Sequence, residues 1–289
     1  MKKILFMLLL LASVSRGQWT GVKPPLGTPL NRSNNLSVGL VGFWPFIDTP
    51  GVLGTTYDLS GNGNHGTLVG DTHSVPGKFG SCLSFDGADD YIQATGPPDI
   101  TDSITYIMWI HLDVIGIDMT PLRVYDSIYN IDGTANAVQW FADVDLAVAS
   151  KHFTWVADVW YQLAVTHTGI AYNLYVNGVS IGGGDSVALD LVSSYGTHIG
   201  SFNTTGTWDL NGQIDHVMIY NRALSAGDVT SLYADSFQMF EQPRLPIASA
   251  AAPPAGNPQV ITIIMSSLPY WIVPIMIIGL ALGLRKRDN

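Results

Sequence analysis

Short apolar segments separated by polar turn residues follow one another along the chain from Val38 to about Ala234. Most are about 5 to 10 residues long, which is typical of β-strands. Examples are SITYIMWIHL (103–112) and GQIDHVMIYN (212–221), and the longer segment AVQWFADVDLAVA (137–149) is predicted to form a hairpin. The pattern contains no βαβ alternation and no internal repeat. It therefore predicts an all-β sandwich or jelly roll.

Residues that favour tight turns or helix caps predict how these segments are connected. Asp86-Gly87 divides residues 81–95 into two strands, and Asn177-Gly178 closes a hairpin within residues 160–181, because Asp-Gly and Asn-Gly favour tight turns. One helix is predicted at residues 225–234, where Ser225 can cap the first turn and an aspartate three residues later can complete a capping box.

The first 17 residues have the organisation of a secretory signal peptide. Lys2 and Lys3 precede an apolar run that is too short to span a bilayer comfortably, and small residues follow at positions suited to cleavage. The mature chain is expected to start near Gln18 with a polar leader, residues 18–37.

A second long apolar segment lies near the C-terminus. Residues 260–284 carry no charge and are followed by Arg285-Lys286-Arg287, and about 20 apolar residues suffice for a transmembrane helix. Residues 236–259 form a Pro/Ala-rich linker before it. We therefore expect an exported, single-pass membrane protein whose folded domain lies outside the cell and whose residues 285–289 form a cytoplasmic stub.

The composition narrows the choice of partners. Only 12% of the residues are charged, and outside the terminal segments 7 basic residues stand against 22 acidic ones. Such a surface repels nucleic acid, whose recognition depends on basic residues, and it suits cations or neutral ligands. The single cysteine, Cys82, excludes an intrachain disulfide.

The order of the motifs resembles the laminin G-like, concanavalin A-like jelly roll in its bacterial form. The resemblance covers residues 38–235 and rests on the stretches GLVGFWPF, YDLSGNGNHGTLVG, PGKFGSCLSFDGADDYIQ, SITYIMWIHL, WYQLAVTHTGIAYNLYVNG and GQIDHVMIYNRALSAGDVTSLYA. It implies two antiparallel sheets with a short helix after the last strand, a sugar- or protein-binding role and often one structural calcium. Two features depart from the family: His216 stands where a second acid is common, and residues 113–136 match poorly.

The stretch DLSGNGNHG (58–66) is the candidate calcium site, because calcium prefers carboxylate, amide and carbonyl oxygens. It offers the Asp58 carboxylate, the amide oxygens of Asn62 and Asn64, and carbonyls freed by glycines. Asp215 of the last strand completes the predicted ligand set if the ends of the domain lie side by side, as the resemblance implies. The alternative is a glycine turn closed by Asp58.

The turn DGADDY (86–91) is a second acidic candidate. Asp89 or Asp90 can contact calcium there. The alternative is a turn that is only solvated.

Sugar binding needs exposed aromatic rings, because the C–H faces of a sugar stack on them. The candidates are Trp140, Trp155, Trp208 and Tyr195, and packing in the core is the alternative for each. Three other tryptophans fall inside strand patterns and are expected in the core: Trp44, Trp109 and Trp160.

Hydrolytic activity is not expected from this sequence. Glycosidases use two carboxylates that flank the scissile bond, and the only glutamate, Glu241, follows the folded domain. Asp143 and Asp145 share one strand face, which is interpreted as a solvated face. The favoured function is a membrane-anchored extracellular module that binds glycans or a cell-surface ligand. The alternatives are a structural surface or virion-associated protein without sugar binding, and a degenerate hydrolase.

Overall fold

A computed structural model describes residues 22–47, 54–96, 100, 103–143, 146–185, 196–204 and 208–241. All of them belong to the first of two compact units, Met1–Leu245 and Pro246–Asn289. The predicted signal peptide (1–17), most of the linker, the membrane segment (260–284) and the stub (285–289) lie outside the described residues. Within the described ranges, no helix is both long and apolar enough to cross a membrane.

Sixteen strands and one α-helix follow one another in the described part of the chain. The strands are β1 (Leu40–Trp44), β2 (Thr55–Thr56), β3 (Gly66–Val69), β4 (His73–Gly77), β5 (Gly80–Asp86), β6 (Tyr91–Ala94), β7 (Ser103–Leu112), β8 (Met119–Val124), β9 (Ser127–Asp132), β10 (Ala137–Asp143), β11 (Leu146–His152), β12 (Trp160–Thr168), β13 (Ala171–Val176), β14 (Val179–Asp185), β15 (Thr197–Ile199) and β16 (Asn211–Tyr220), and the helix is α1 (Ala226–Ala234).

The strands form two antiparallel sheets of eight strands each. The first sheet has the order β14-β13-β12-β7-β16-β5-β4, and β1 also pairs with β16. The second sheet has the order β11-β10-β9-β8-β15-β6-β3-β2. The predicted all-β sandwich is therefore confirmed, and β10 and β11 pair as the predicted hairpin. Strands β5 and β6 flank Asp86-Gly87 as expected, but they lie in different sheets.

The main core fills the space between the two sheets. Alternate residues of β7, namely Ile104, Tyr106, Met108, Ile110 and Leu112, contribute to it, because successive side chains of a strand point to opposite faces. Burying each such side chain contributes about 1.5–3 kcal/mol to folding.

A second apolar cluster covers the outer face of the first sheet. It contains Ile107 of β7, Phe43 of β1 and Met218 of β16, together with Leu232 of α1. The polar leader also takes part, because its Leu30 lies in this cluster and forms an antiparallel bridge with Phe240. Packed structure therefore extends on both sides of residues 38–235, the range covered by the sequence motifs.

One end of the sandwich, the loop end, collects the connections that lead into β8, β12 and β16. The amide of Asp113 donates to Asn211 O (3.2 Å), and that of Asp158 donates to Leu112 O (3.0 Å). The turn after β5 lies beside them, because Asp86 pairs with Asn211. The connections into β8 and β12, the start of β16 and the turn after β5 thus lie close together at this end.

Candidate functional site

Asp58, the first predicted calcium ligand, is a hydrogen-bond acceptor for the backbone. Its carboxylate accepts from the amides of Phe43 (2.9 Å), Ser60 (2.8 Å) and Asn64 (3.0 Å) and from the Ser60 hydroxyl (2.9 Å). Asp58 is 5% exposed. The carboxylate therefore holds the glycine-rich loop against β1, as in the alternative interpretation of the motif.

Asn62 and Asn64 also turn toward β1. The side-chain amides of both donate to Val41 O, at 3.1 and 3.2 Å. The Asn64 Oδ1 atom accepts from Thr95 Oγ1 (3.0 Å). These contacts tie the loop to the two neighbouring strand regions.

Asp215 lies fully buried in β16 and has different partners. Its Oδ1 atom is 2.9 Å from the Lys23 ammonium, and its Oδ2 atom accepts from the Phe79 amide (2.9 Å). Burial would raise the pKa of the Asp215 carboxyl, but the hydrogen bond from His216 and the charge of Lys23 bring this pKa below its usual value. Burial also lowers the pKa of His216.

The predicted ligand set of Asp58, Asn62, Asn64 and Asp215 gains no support from these contacts. Backbone donors occupy the Asp58 carboxylate, and a lysine ammonium already compensates the charge of Asp215. Among the described residues, two groups of three metal-ligating side chains occur, and neither includes Asp58 or Asp215. Calcium binding by that set stays a prediction.

The acidic turn after β5 forms the first of these groups. One carboxylate oxygen from each of Asp86, Asp89 and Asp90 lies within 4.8 Å of the others. Asp90 is buried and accepts from the amides of Asp71 and Asp86. Burial, together with the charges of Asp86 and Asp89, raises the pKa of Asp90 despite those hydrogen bonds.

Asp209 adds a fourth carboxylate to the same region. Its Oδ1 atom accepts from the Ser201 hydroxyl (2.5 Å), whereas its buried Oδ2 atom has no hydrogen-bond partner among the described residues. Burial raises the pKa of Asp209, and the charges of Asp86, Asp89 and Asp90 raise it further. We call Asp86, Asp89, Asp90 and Asp209 the acidic cluster.

The acidic cluster has the chemistry of a divalent-cation site. Carboxylate oxygens are the ligands that calcium prefers, and a cation removes the repulsion between neighbouring carboxylates. The second group, His111, Asp113 and Asp158, lies at the same end of the sandwich. Its two aspartates are exposed. Within the group, His111 and Asp113 form a hydrogen bond (3.0 Å), and the His111 ring lies 5.4 Å from the ring of Trp160.

Two of the four predicted sugar-stacking residues lie in the core, which corrects the expectation that they present exposed rings. Trp140 is fully buried, and its indole N–H donates to Ser127 Oγ (3.1 Å). Trp155 is 3% exposed and packs edge-on against Phe153 and Tyr161. Tyr195 lies outside the described residues.

Trp208 is the exposed member of the predicted set. It is 46% exposed, and its ring packs edge-on against Phe202 (centroids 5.1 Å apart). Its carbonyl accepts from the Thr120 amide (2.7 Å), which fixes it at the loop end. Its φ of 56° is unusual for a large residue and is a form of backbone strain that clusters at functional sites.

Sequence reasoning missed the role of Asp209, which directly follows Trp208. An acidic residue beside an exposed aromatic, just before the last strand, was the available signal. It also missed Arg123 in the poorly matching region. The Arg123 guanidinium lies 4.7 Å from the Phe202 ring centroid and pairs with Asp126 (2.6 Å), so it supports the ring that contacts Trp208.

Comparisons with solved structures show the same fold in proteins of low sequence identity. The binding domain of Paraclostridial Mosquitocidal Protein 1 has a TM-score of 0.54 and 16% identity over 68% of this chain and 52% of that chain. Domain 4 of AbnA, an extracellular arabinanase from Geobacillus stearothermophilus in complex with arabinotriose, has a TM-score of 0.55 and 17% identity over 68% of this chain and 98% of that chain.

A third similar structure is the sialidase of Trypanosoma rangeli in complex with sialic acid, with a TM-score of 0.54 and 16% identity over 68% of this chain. The chain spans about half of the mosquitocidal protein's binding domain (52%) and a third of the sialidase (33%). No curated protein matches the sequence.

The sequence itself matches a known family over half of its length. Residues 86–230 match the laminin G family described as the Concanavalin A-like lectin/glucanases superfamily. This range runs from the acidic turn after β5 to the middle of α1 and includes both the acidic cluster and Trp208. The two-sheet sandwich agrees with this match. The chain therefore belongs to the Concanavalin A-like lectin/glucanases superfamily.

Proposed function

We propose that the chain is a binding module that recognises a glycan, free or on a cell surface, through the loop end of its sandwich. The observation that supports this most is the exposed ring of Trp208 directly beside Asp209 of the acidic cluster. An aromatic ring offers a stacking surface for the C–H face of a sugar. Neighbouring carboxylates accept hydrogen bonds from its hydroxyl groups.

Two of the similar solved structures are of proteins or domains that bind a ligand, which supports this proposal. Domain 4 of AbnA is in complex with arabinotriose, and the similar mosquitocidal protein structure is a binding domain. At 16–17% identity these structures share the fold with the chain.

The test is a glycan array probed with the full chain in the presence of calcium. Trp208→Ala should abolish or weaken binding at least tenfold, because it removes the stacking surface. Ile170→Ala is the matched control. Ile170 is 76% exposed and lies in the turn between β12 and β13, at the end of the sandwich opposite to the loop end. Absence of binding across the array would favour the structural surface protein instead.

We also propose that the acidic cluster binds calcium. Three carboxylates lie within 4.8 Å of one another there, and their charges raise the pKa of the buried Asp209 nearby. A cation would neutralise this repulsion, and its binding to the folded state alone stabilises that state by about 2.7 kcal/mol at a hundredfold excess over Kd.

Thermal unfolding in excess calcium and in chelator tests this site. Calcium should raise the melting temperature of the wild-type chain by several degrees and that of the Asp89→Asn variant much less. Asp89 suits the substitution because it is exposed. Asp185→Asn, an exposed aspartate on β14, is the control that should respond like the wild type. Equal melting of the wild-type chain in calcium and chelator would contradict the proposal.

The proposed module is not an enzyme. The support is the sequence, whose only glutamate, Glu241, follows α1 rather than facing a second carboxylate on a strand. We expect no hydrolysis on a panel of polysaccharides. Turnover that Asp143→Asn abolishes would contradict this and favour the hydrolase alternative.

We further propose that the module is exported and anchored in a membrane by residues 260–284. The support is the uncharged run followed by three basic residues. Deletion of residues 260–289 should release the protein into the medium, and retention of the deleted chain on membranes would contradict the anchor. This test measures only whether the protein is found in the medium or on membranes, so its result does not depend on sugar binding.

A further inference from the structure

Aliphatic side chains are exposed together at the loop end of the sandwich. The described residues include twelve large hydrophobic side chains that are exposed, and six of them lie in three neighbouring connections at this end. One is Trp208, and the other five are aliphatic and are called the apolar patch: Val114, Ile115, Ile117, Val156 and Val159. Connections on a protein surface are usually polar, so exposed apolar side chains that cluster there mark an interaction site.

Hydrogen bonds between backbones place the three connections side by side. The Asp158 amide donates to Leu112 O (3.0 Å), which brings the connection into β12 next to the connection between β7 and β8. The Asp113 amide of the latter donates to Asn211 O (3.2 Å) at the start of β16, and Trp208 lies three residues before Asn211. The apolar patch and Trp208 therefore belong to one surface at the end of the sandwich.

The connection between β7 and β8 projects from the sandwich and is supported at its base. Gly116 at its tip has a φ of 87°, and open space surrounds the position that a Cβ atom would take there. The backbone of Ile117 packs so closely against Gly133 that a side chain at Gly133 would collide with it. Ile115 and Ile117, each 44% exposed, thus flank the tip of a supported turn.

The connection into β12 is held as firmly. The Val156 amide donates to the Tyr161 hydroxyl (3.1 Å), and the Asp158 amide has its partner in β7. The Val156 side chain is nevertheless 54% exposed. Both connections therefore present aliphatic side chains on a fixed backbone, so that binding through them loses little conformational entropy.

The charges around the apolar patch restrict what can cover it. Residues 113–118 and 153–159 contain three aspartates and no lysine or arginine. The acidic cluster lies at the same end, because Asp86 pairs with Asn211. Such a surface repels anionic lipids, whose attraction depends on basic side chains. It complements zwitterionic lipids, whose ammonium groups lie outermost and whose acyl chains lie below them.

We propose that the loop end docks onto the surface of a bilayer of zwitterionic lipids. The apolar patch enters the boundary between headgroups and acyl chains, and the carboxylates around it stay among the ammonium groups. Trp208 then lies at the level of the headgroups, where tryptophan is favoured. The docking goes beyond the proposed recognition of a glycan and does not require it. It would bring the proposed glycan site to sugars that lipids of the same bilayer carry.

Site-specific fluorescence of the full chain tests the docking. The natural cysteine, Cys82, is buried, so Ile115→Cys supplies one accessible thiol for an environment-sensitive dye. The chain is reconstituted with phosphatidylcholine vesicles that carry a quencher on their acyl chains and contain no glycan. Chelator is present, so that calcium cannot link carboxylates to lipid phosphates. The dye at position 115 should be quenched.

Two further variants show whether the apolar patch causes the contact. Ile170→Cys is the matched control, because this isoleucine is 76% exposed at the opposite end of the sandwich, and its dye should stay unquenched. Adding Val156→Asp to the chain labelled at position 115 should remove most of the quenching, because a carboxylate would have to enter the apolar boundary. Urea unfolding of this variant verifies that it is folded.

Four results would overturn the proposal. Absence of quenching at position 115 would show that the bilayer does not cover the patch, and equal quenching at positions 115 and 170 would show that the contact does not depend on the loop end. Stronger quenching in anionic phosphatidylglycerol vesicles would contradict the argument from charge. A blue shift of the dye at position 115 that grows with protein concentration without vesicles would assign the patch to a second copy of the chain. A failed glycan array would leave all these outcomes unchanged.

Discussion

At the scale of single residues, buried carboxylates hold the irregular parts of this fold in place. Asp58 is the clearest case, because one side chain accepts four hydrogen bonds and three of them come from backbone amides. A buried amide that loses its acceptor costs about 1–3 kcal/mol. The loop that carries DLSGNGNHG therefore depends on this carboxylate for its conformation.

Replacing Asp58 by Ala should lower the free energy of unfolding by about 3 kcal/mol or more, since three buried amides lose their acceptor. Urea unfolding measures the loss, and it should be the same in calcium and in chelator. Asp185→Ala removes an exposed aspartate and should change stability by no more than about 0.5 kcal/mol. If the loss of stability in Asp58→Ala differs between calcium and chelator, the result would support the calcium site that the sequence predicts in this loop.

His198 makes the stability of the domain depend on pH. Burial lowers its pKa below the ordinary value of 6.5, and the charge of Arg123 lowers it further. The unfolded chain therefore binds a proton at His198 before the folded chain does as the pH falls. Stability should decrease below about pH 6.5.

The His198→Gln variant should lose less stability than the wild type between about pH 7 and pH 5. The difference in slope can reach about 1.4 kcal/mol per pH unit. Urea unfolding at several pH values measures it, with His73→Gln as the control for loss of an exposed histidine. Parallel profiles for the wild type and His198→Gln would contradict the argument. Burial also lowers the pKa of His216. Protonation of His216 therefore reduces stability at low pH in both the wild type and His198→Gln.

At the scale of elements, α1 closes the outer face of the first sheet. Val229 and Leu232 are buried, and the predicted capping box is present: Ser225 Oγ accepts from the Asp228 amide (3.1 Å), and Asp228 accepts from the Ser225 amide (3.1 Å). The helix is short, so its first turn matters for its stability.

Ser225→Ala should destabilise the domain by about 0.5–2 kcal/mol, because it removes one acceptor at the helix N-terminus. Thermal unfolding measures the change. Ser74→Ala, an exposed serine on β4, serves as control. A loss as large from Ser74→Ala would mean that serine removal, rather than capping, explains the effect.

Most elements could be predicted because their turns and faces are visible in local sequence. The predicted strand 103–112 is β7, and the helix predicted at 225–234 is α1 with its cap. Strands β8 and β9 were missed. Both of their faces are largely buried, so apolar and polar residues do not alternate clearly, and Pro121 lies within β8.

The candidate site was predicted less well because it depends on contacts between distant segments. The acidic turn was recognised as a candidate, but its proximity to Asp209 follows from the pairing of Asp86 with Asn211. Trp140 was misassigned because a tryptophan at a strand position can face either the core or the solvent. Here Ser127 satisfies the Trp140 indole inside the core. Trp155 was misassigned because it lies in the connection between β11 and β12, where its ring packs against Phe153 and Tyr161.

At the scale of the whole molecule, the leader is part of the folded domain. Its Leu30 and Leu36 lie in the second apolar cluster, and its Lys23 compensates the charge of Asp215. An uncompensated buried charge costs about 3–5 kcal/mol. The domain is therefore larger than the motifs suggest.

A chain that starts at Val38 should be less stable than one that starts at Gln18 by at least about 3 kcal/mol, because Asp215 loses its partner and the second cluster loses two leucines. Urea unfolding of the two chains provides the comparison. A chain from Gln18 with Arg32→Ala is the control, since this change alters the leader but keeps Lys23 and both leucines. Equal stability of the two starting points would show that the leader is dispensable.

The bridge between Leu30 and Phe240 places the C-terminal end of the described chain beside a leader residue that lies eight positions after its N-terminal end at Val22. The Glu241 amide also donates to Pro29 O (2.9 Å). Domains whose ends are adjacent can be rejoined there and reopened at an exposed turn without changing their packing. A circular permutant with its new ends between Gly169 and Ile170 should therefore keep the fold, and the same geometry would let this module be inserted into a surface loop of another protein.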